Sequence, residues 1–417
     1  MTTLFNVDEH IIDASHIREY AAATATSQDA ALKLHVKQYT PKNNAFPRKG
    51  DVTLIGAHAN GFVKELYEPL YDDLCQELEA AGVRIRDIWI ADCAWQGQSG
   101  ILNQEEGLLG NDPCWYDYSR DIIHMINTFR MPRPLVAVGH SFGANALSYA
   151  ALLHPRLFHS MVLLDPVIAP YHTSPFEPRA SPAAASIRRR DVWPSRDAAA
   201  ALFRKSPFYQ AWDPRVLDQW VKHGLHNNTI DPKGEVMLST TKHQEVFTFL
   251  RPTWPAFDQE GKNVIDPKRM PDCGTSIKTE FPMYPFCRPE AVNTFLRMSH
   301  LRPGVVFILG GQSSVIGDDD ARKRTEITGT GLGGSGGVPA GRVKEVVHDK
   351  YGHFIPLEVP KFCARHAAEF VKKELDIWAA EEMEYEEWAR RPNADKVTVS
   401  EEYKKHLGVT DRPKAKI

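Results

Sequence analysis

The stretch LVAVGHSFGANALSYAALLHP, Leu135–Pro155, decides how this chain reads. An apolar run of strand length ends at Gly139-His140-Ser141-Phe142-Gly143, and an alanine-rich, helix-forming segment follows. The pentapeptide fits G-x-S-x-G between a strand and a helix, the context in which that pattern has a mechanical meaning. A serine there sits on a strained turn, and the flanking positions must lack side chains for the backbone to bend so sharply. The turn lifts the hydroxyl clear of the strand. It also sets the N–H of Phe142 at a helix N-terminus, where developing negative charge is favoured. Ser141 is therefore the candidate nucleophile.

Outward from this turn the pattern alternates. Val52–His58, Val83–Asp92, Pro134–His140 and Met161–Asp165 read as buried strands; Lys64–Gly82, Trp115–Phe129 and Phe142–His154 read as helices. Leu32–Tyr39 alternates apolar and polar, as an early antiparallel strand does. Alternation resumes with Gly304–Gly311 and Arg342–His348, and Pro360–Arg391 closes as a long charged helix. Such repetition specifies a mostly parallel sheet with helices on both faces. Between the halves, residues 166–302 are rich in proline and tryptophan, with short helical segments. At that length they are no loop and predict an inserted helical cap, leaving 1–165 and 303–417 as the core. The glycine-rich Thr328–Gly341 matches no phosphate-binding pattern and reads as a surface loop.

Composition narrows the function. The 417 residues are 42% hydrophobic, enough for a large core, and carry 50 Lys plus Arg against 53 Asp plus Glu. That balance gives no electrostatic case for a nucleic-acid partner. The six scattered cysteines form no zinc pattern or disulfide framework; Cys273 and Cys287 are expected as free thiols. No metal or organic cofactor is called for. The N-terminus has no basic-then-apolar leader, and no stretch approaches the ~20 apolar residues of a membrane span. The final Ala415-Lys416-Ile417 is small, basic and aliphatic, the chemistry of a peroxisomal import address, which would make the import receptor a partner. Otherwise a cytoplasmic location is expected.

A serine hydroxyl needs a base, and the base an orienting group. Of seventeen histidines, His353 alone follows the last strand in a loop, in Gly352-His353-Phe354. His348 ends that strand and is the rival; His140, inside the serine turn, reads as buried support.

With these motifs the chain resembles the α/β-hydrolase superfamily over about residues 32–375, the cap excepted. The resemblance rests on VGHSFG, on HANGF (His58–Phe62), on DCAWQGQSG (Asp92–Gly100) and on YGHFIP. It implies an α/β-hydrolase fold with a mostly parallel eight-stranded sheet. It also implies a second oxyanion donor in the HANGF loop, taken as the N–H of Phe62 with Val63 next. Where the superfamily keeps its acid, this chain reads Gly311-Gln312-Ser313-Ser314. The carboxylate is expected instead at Asp165, which ends a buried strand and needs a partner there. Asp318, Asp319 and Asp320 remain the alternative. Closer likeness is to fungal peroxisomal hydrolases of the yeast lipase, host-selective-toxin and mycophenolic acid acyl-CoA hydrolase type. It implies Ser-His-Asp cleavage of an acyl thioester or ester, most simply an acyl-CoA, with a carboxylesterase or a non-catalytic binding protein as alternatives. In the cap, Arg188, Arg189 and Arg190 read either as contacts for coenzyme A phosphates or as solvated surface. Trp193, Phe203, Phe208, Tyr209 and Trp212 are expected partly to line an acyl pocket and partly to build the cap's own core. The closing helix offers a surface for a homodimer.

Overall fold

The computed structural model describes residues 4–171, 181–228, 234–274 and 283–409. They fall in two compact units, residues 1–374 and residues 375–417. The first is built on eight strands: β1 (Phe5–Asp13), β2 (Lys33–Pro41), β3 (Val52–Ala57), β4 (Ile85–Ala91), β5 (Leu135–His140), β6 (Ser160–Leu164), β7 (Gly304–Gly310) and β8 (Val343–His348). They make one sheet in the order β1-β2-β4-β3-β5-β6-β7-β8. The pairs from β4 through β8 are parallel, while β1–β2 and β2–β4 are antiparallel.

The central strands are buried on both faces, which explains their unbroken apolar runs: every residue of β3, β5, β6 and β7 is buried. Helices supply the covering layers: α1 (Glu68–Ala80), α2 (Gly97–Glu105), α3 (Trp115–Thr128) and α4 (Phe142–Leu153). The N-terminal strand β1 is absent from the sequence expectation. It is an edge strand whose residues after Phe5 are largely exposed, so it carries no apolar run.

The chain between β6 and β7 carries α5 (Pro182–Arg188), α6 (Arg196–Phe203), α7 (Pro207–Gln210), α8 (Pro214–His223), α9 (Lys242–Phe249) and α10 (Glu290–Phe295). It is not purely helical. Val192–Trp193, Val236–Leu238 and Leu225–Asn227 form a small antiparallel sheet, and Arg251–Pro252 pairs with Phe286–Cys287. Cys273 and Cys287 are free thiols with Sγ atoms 3.0 Å apart. Asp318–Ile327 forms α11, Ile355–Glu358 forms α12 and Pro360–Ala389 forms α13. Among the described residues no helix is long and apolar enough to cross a membrane. The Ala415-Lys416-Ile417 tripeptide lies outside the described residues.

Register sets where chemistry can gather. Gly139 pairs with Ala57, His140 with Leu164, Ile308 with Leu164, and Gly310 with His348. The loops after β3, β5, β6, β7 and β8 therefore leave the sheet side by side at its carboxyl edge, where ligands of open α/β sheets bind.

Candidate active site

Ser141 caps α4 at φ 58° and ψ −123°, the strained geometry expected of the turn. Both glycines are required by close approach. A Cβ on Gly143 would lie 2.4 Å from the carbonyl oxygen of His58, and one on Gly139 would lie 2.8 Å from Cα of Ala144. The serine N–H donates to Leu164 O at 3.0 Å and its carbonyl accepts from Val167 N at 3.1 Å, tying the bend to the end of β6.

The loop after β8 brings the base. His353 Nε2 lies 2.8 Å from Ser141 Oγ, and His353 Nδ1 lies 3.2 Å from Asp165 Oδ2. A carboxylate can only accept, so Nδ1 carries the proton and Nε2 is the acceptor facing the serine hydroxyl. Asp165 follows β6 at φ 39°, buried, its N–H donating to Ile308 O at 2.9 Å. The alternative acids Asp318, Asp319 and Asp320 occupy the first turn of α11. His348, the alternative base, packs on Tyr351 and Phe362.

His140 is buried and held neutral: burial pulls it well below the ordinary imidazole range. Its Nε2 donates to His353 O at 2.8 Å, and its Nδ1 accepts from the Tyr67 hydroxyl, also at 2.8 Å. Tyr67 in turn accepts from the N–H of Ala59 at 2.9 Å. One chain of hydrogen bonds thus runs from the HANGF loop, through the serine turn, to the backbone of the base.

In that loop most amides are already engaged. His58 N donates to Tyr118 Oη at 3.3 Å, Gly61 N to Gln96 Oε1 at 2.8 Å and Phe62 N to Ala59 O at 3.2 Å. The expectation for Phe62 therefore does not fit its amide, which closes a local turn. Asn60 N has no acceptor among the described residues. The Asn60 side chain is fixed by Gln96 Nε2 at 2.6 Å and by Glu245 O at 3.0 Å. Beneath the loop, Lys64 Nζ meets Asp92 Oδ2 at 2.5 Å with both side chains fully buried, so DCAWQGQSG serves as its scaffold.

Arg324 of α11 is missed by sequence reading. Its side chain is almost wholly buried, with Nη1 donating to Pro166 O at 3.0 Å and the guanidinium 4.8 Å from the Phe307 ring. Burial pulls it down to about 10, opposed by the negative charges of Asp165 and Glu345. It places fixed positive charge beside the carboxylate that faces His353.

A cavity of about 580 Å³ opens over Ser141 and His353. Trp115, Phe142, Phe208, Tyr209, Phe249 and Phe354 give it aromatic walls; Asn60, Arg189, Glu245 and Arg288 are polar exceptions. Of the cap residues expected at the substrate, Phe208, Tyr209 and Arg189 reach this lining. Trp193 and Trp212 do not: Trp193 packs on Phe203, and Trp212 packs behind Phe62 and Phe208. Arg188 and Arg190 are exposed and off the lining, so of the three arginines Arg189 alone reaches the cavity among the described residues. Among the described residues no cluster of His, Cys, Asp and Glu is placed to hold a metal ion.

A model of the alpha/beta hydrolase family matches residues 54–366. The chain belongs to that family. The hydrolase is 38% identical over 408 residues to a type I acyl-CoA thioesterase of Penicillium brevicompactum, covering 93% of this chain and 92% of that one. It is 28% identical over 260 residues to an abhydrolase domain-containing protein of Alternaria alternata, covering 60% of this chain and 87% of the other. In fold it is similar to the peroxisomal alpha-beta-hydrolase Lpx1 of Saccharomyces cerevisiae, with a TM-score of 0.68, 14% identity, and coverage of 98% and 96% of the two chains.

Proposed function

We propose that this hydrolase is an acyl-CoA thioesterase working through an acyl-enzyme. The observation that carries the reading is the alignment Asp165–His353–Ser141 at the mouth of an aromatic cavity. The near full-length likeness to type I acyl-CoA thioesterases supports the choice of substrate. Ser141 Oγ attacks the thioester carbonyl as His353 Nε2 takes its proton; the thiolate of coenzyme A leaves, protonated by the same imidazole. Water then attacks the acyl-serine with His353 again as base, releasing the acid. Asp165 holds the Nδ1–H tautomer and stabilises the imidazolium. The oxyanion donors are Phe142 N–H, which opens α4 and has no acceptor inside the helix, and Asn60 N–H in the HANGF loop, with Val63 N–H, which also has no acceptor among the described residues, as the alternative. Residues 166–302 act as the lid, since they supply the cavity walls that 1–165 and 303–417 do not.

The test is coenzyme A release, followed with a thiol reagent over a panel of acyl-CoAs and p-nitrophenyl esters. Wild type cleaves acyl-CoA, and Ser141→Ala neither cleaves it nor reacts with a fluorophosphonate. Ester cleavage without any acyl-CoA cleavage would make the protein a carboxylesterase; a serine inert to the probe in a folded protein would make it a binding module. For location we propose peroxisomal import through Ala415-Lys416-Ile417, tested by the distribution of a fluorescent fusion with and without the tripeptide. For assembly we propose a homodimer through residues 381–391, where Met383, Tyr385 and Trp388 are exposed; light scattering decides it.

A further inference from the structure

An amide that receives an oxyanion has to be in place before the charge forms, since any rearrangement then adds to the barrier. The loop carrying Asn60 includes Gly61 at φ 81°, a residue whose own backbone preferences hold it weakly. What holds the loop is Gln96, from the Asp92–Gly100 turn, whose side chain is wholly buried. Gln96 Oε1 accepts from Gly61 N at 2.8 Å. Its Nε2 donates to Asn60 Oδ1 at 2.6 Å and to Thr248 Oγ1 at 2.9 Å. The amide cannot be turned over, because its NH₂ would then face the N–H of Gly61. Thr248 lies on α9, in the segment between β6 and β7, and is fully buried too. Its hydroxyl donates to Gln244 O at 2.7 Å, which leaves its two lone pairs for Gln96 and for Trp95 Nε1 at 2.8 Å. Its carbonyl accepts from Trp115 Nε1 at 2.9 Å and Arg288 Nε at 3.1 Å, seating α9 on the core. The helix also touches the loop directly. Glu245 O accepts from Asn60 Nδ2 at 3.0 Å, and a Cβ on Gly61 would lie 2.7 Å from the Glu245 carboxyl carbon.

We propose that Gln96 and Thr248 are positioning residues through which α9 sets the proposed oxyanion donor Asn60. This rests on the serine-hydrolase reading of Ser141 and adds that the inserted segment takes part in stabilising the transition state, besides walling the cavity. Neither side chain lines the cavity, so both act through Asn60 and not on the acyl group. Gln96 holds Asn60 at its side chain and at the next N–H, while Tyr67 holds the preceding one, Ala59 N, at 2.9 Å. Of these three consecutive N–H groups, that of Asn60 alone has no acceptor among the described residues. Both N–H bonds of the Gln96 amide and all three sites of the Thr248 hydroxyl are used, which makes the arrangement a single determinate one. A bound thioester with a neutral carbonyl should scarcely feel the clamp; the tetrahedral adduct should depend on it.

The experiment uses Gln96→Leu, which removes the clamp, Thr248→Val, which removes its support from α9, and Thr248→Ser, which keeps the hydroxyl. Each is assayed with dodecanoyl-CoA and for binding of two probes. One is the trifluoroacetonyl thioether of coenzyme A, whose ketone carbon bonds Ser141 Oγ and leaves an oxyanion while His353 takes the proton. The other is S-dodecyl-CoA, which has no acyl carbonyl to attack. Q96L should lose roughly ten- to a hundredfold in kcat, with KM changed less than about twofold. Its affinity for the ketone should fall by about the same factor, and its affinity for S-dodecyl-CoA should hold. T248V should lose several-fold in kcat and in ketone affinity together, and T248S should recover most of that loss. A merely structural role predicts equal loss for the two probes. Unchanged ketone affinity in Q96L, or a loss shared equally with S-dodecyl-CoA, overturns the proposal while leaving the thioesterase standing. If Q96L shows no cooperative melting, T248V against T248S is judged by the same two outcomes. If wild type cleaves no CoA thioester, that reading fails separately, and the variants are compared on p-nitrophenyl dodecanoate with dodecyl trifluoromethyl ketone.

Discussion

Replacing Asp165 by Asn isolates one charge. The carboxylate and the imidazolium formed during acyl transfer are 3.2 Å apart, with side chains 6% and 16% exposed. At an effective dielectric of about 20, unit charges at that separation attract by about 5 kcal/mol. If that stabilisation arises only as His353 takes the proton, its loss slows acylation by roughly 10³–10⁴-fold, the upper end reduced by the partial exposure of the ring. The amide has a second effect in the same direction: an NH₂ group facing Nδ1 favours the tautomer that cannot accept from Ser141. Burst kinetics with an acyl-CoA and a thiol reagent read the acylation step, and circular dichroism checks the fold. D165N is expected to lose three to four decades in acylation rate, with KM little changed. A combined replacement of Asp318, Asp319 and Asp320 by Asn should retain most activity. Retention of more than about a tenth of the wild-type rate in D165N, or collapse of the triple variant alone, refutes the assignment of the acid.

Gly143→Ala forces a Cβ to within 2.4 Å of a backbone oxygen that cannot swing away, so the variant should lose its fluorophosphonate reactivity and several degrees of melting temperature. Lys64→Met strands a fully buried Asp92, costing about 3–5 kcal/mol and lowering the midpoint of thermal unfolding by roughly 3–6 °C. Mild acid should destabilise the protein through its buried imidazoles. Burial lowers His58, His140 and His223, the last to about 4, so between about pH 6.5 and 4 the unfolded chain binds these protons and the folded one resists them. Stability contributed by the neutral rings is complete above about pH 6.5 and falls as pH drops, and His223→Gln should flatten that slope in a series of melting curves.

Much of this was legible in the chain because it is local. The serine turn is five consecutive residues, and the apolar run before it announces a strand buried on both faces. Asp165 was legible for a different reason: a charge ending the run MVLLD must find a partner, and the partner is His353. What sequence could not show depends on side chains meeting across the fold. Phe208 and Trp212 are four residues apart, both aromatic and in contact with each other, yet of the two only Phe208 reaches the cavity. No periodicity separates a cap residue that packs from one that lines. Arg189 stands between two arginines of identical chemistry, and only Glu245, 56 positions later, selects it. The turn that engages the amide of Phe62 with Ala59 O is likewise invisible in HANGF.

The histidine at the variable position of G-x-S-x-G gains its meaning from the same long-range chemistry. A buried neutral imidazole has one donor and one acceptor, and His140 spends each on a different loop. Its acceptor reaches Tyr67, which holds the amide of Ala59 beside the proposed oxyanion donor Asn60; its donor reaches the carbonyl of the proposed base. A protonated ring could not do this, because its second N–H would face the hydroxyl now donating to it. The burial that keeps His140 uncharged is therefore a condition for register between the two loops. It also explains why an ordinary small residue at this position would build the turn yet leave the base and the oxyanion loop to find their places independently.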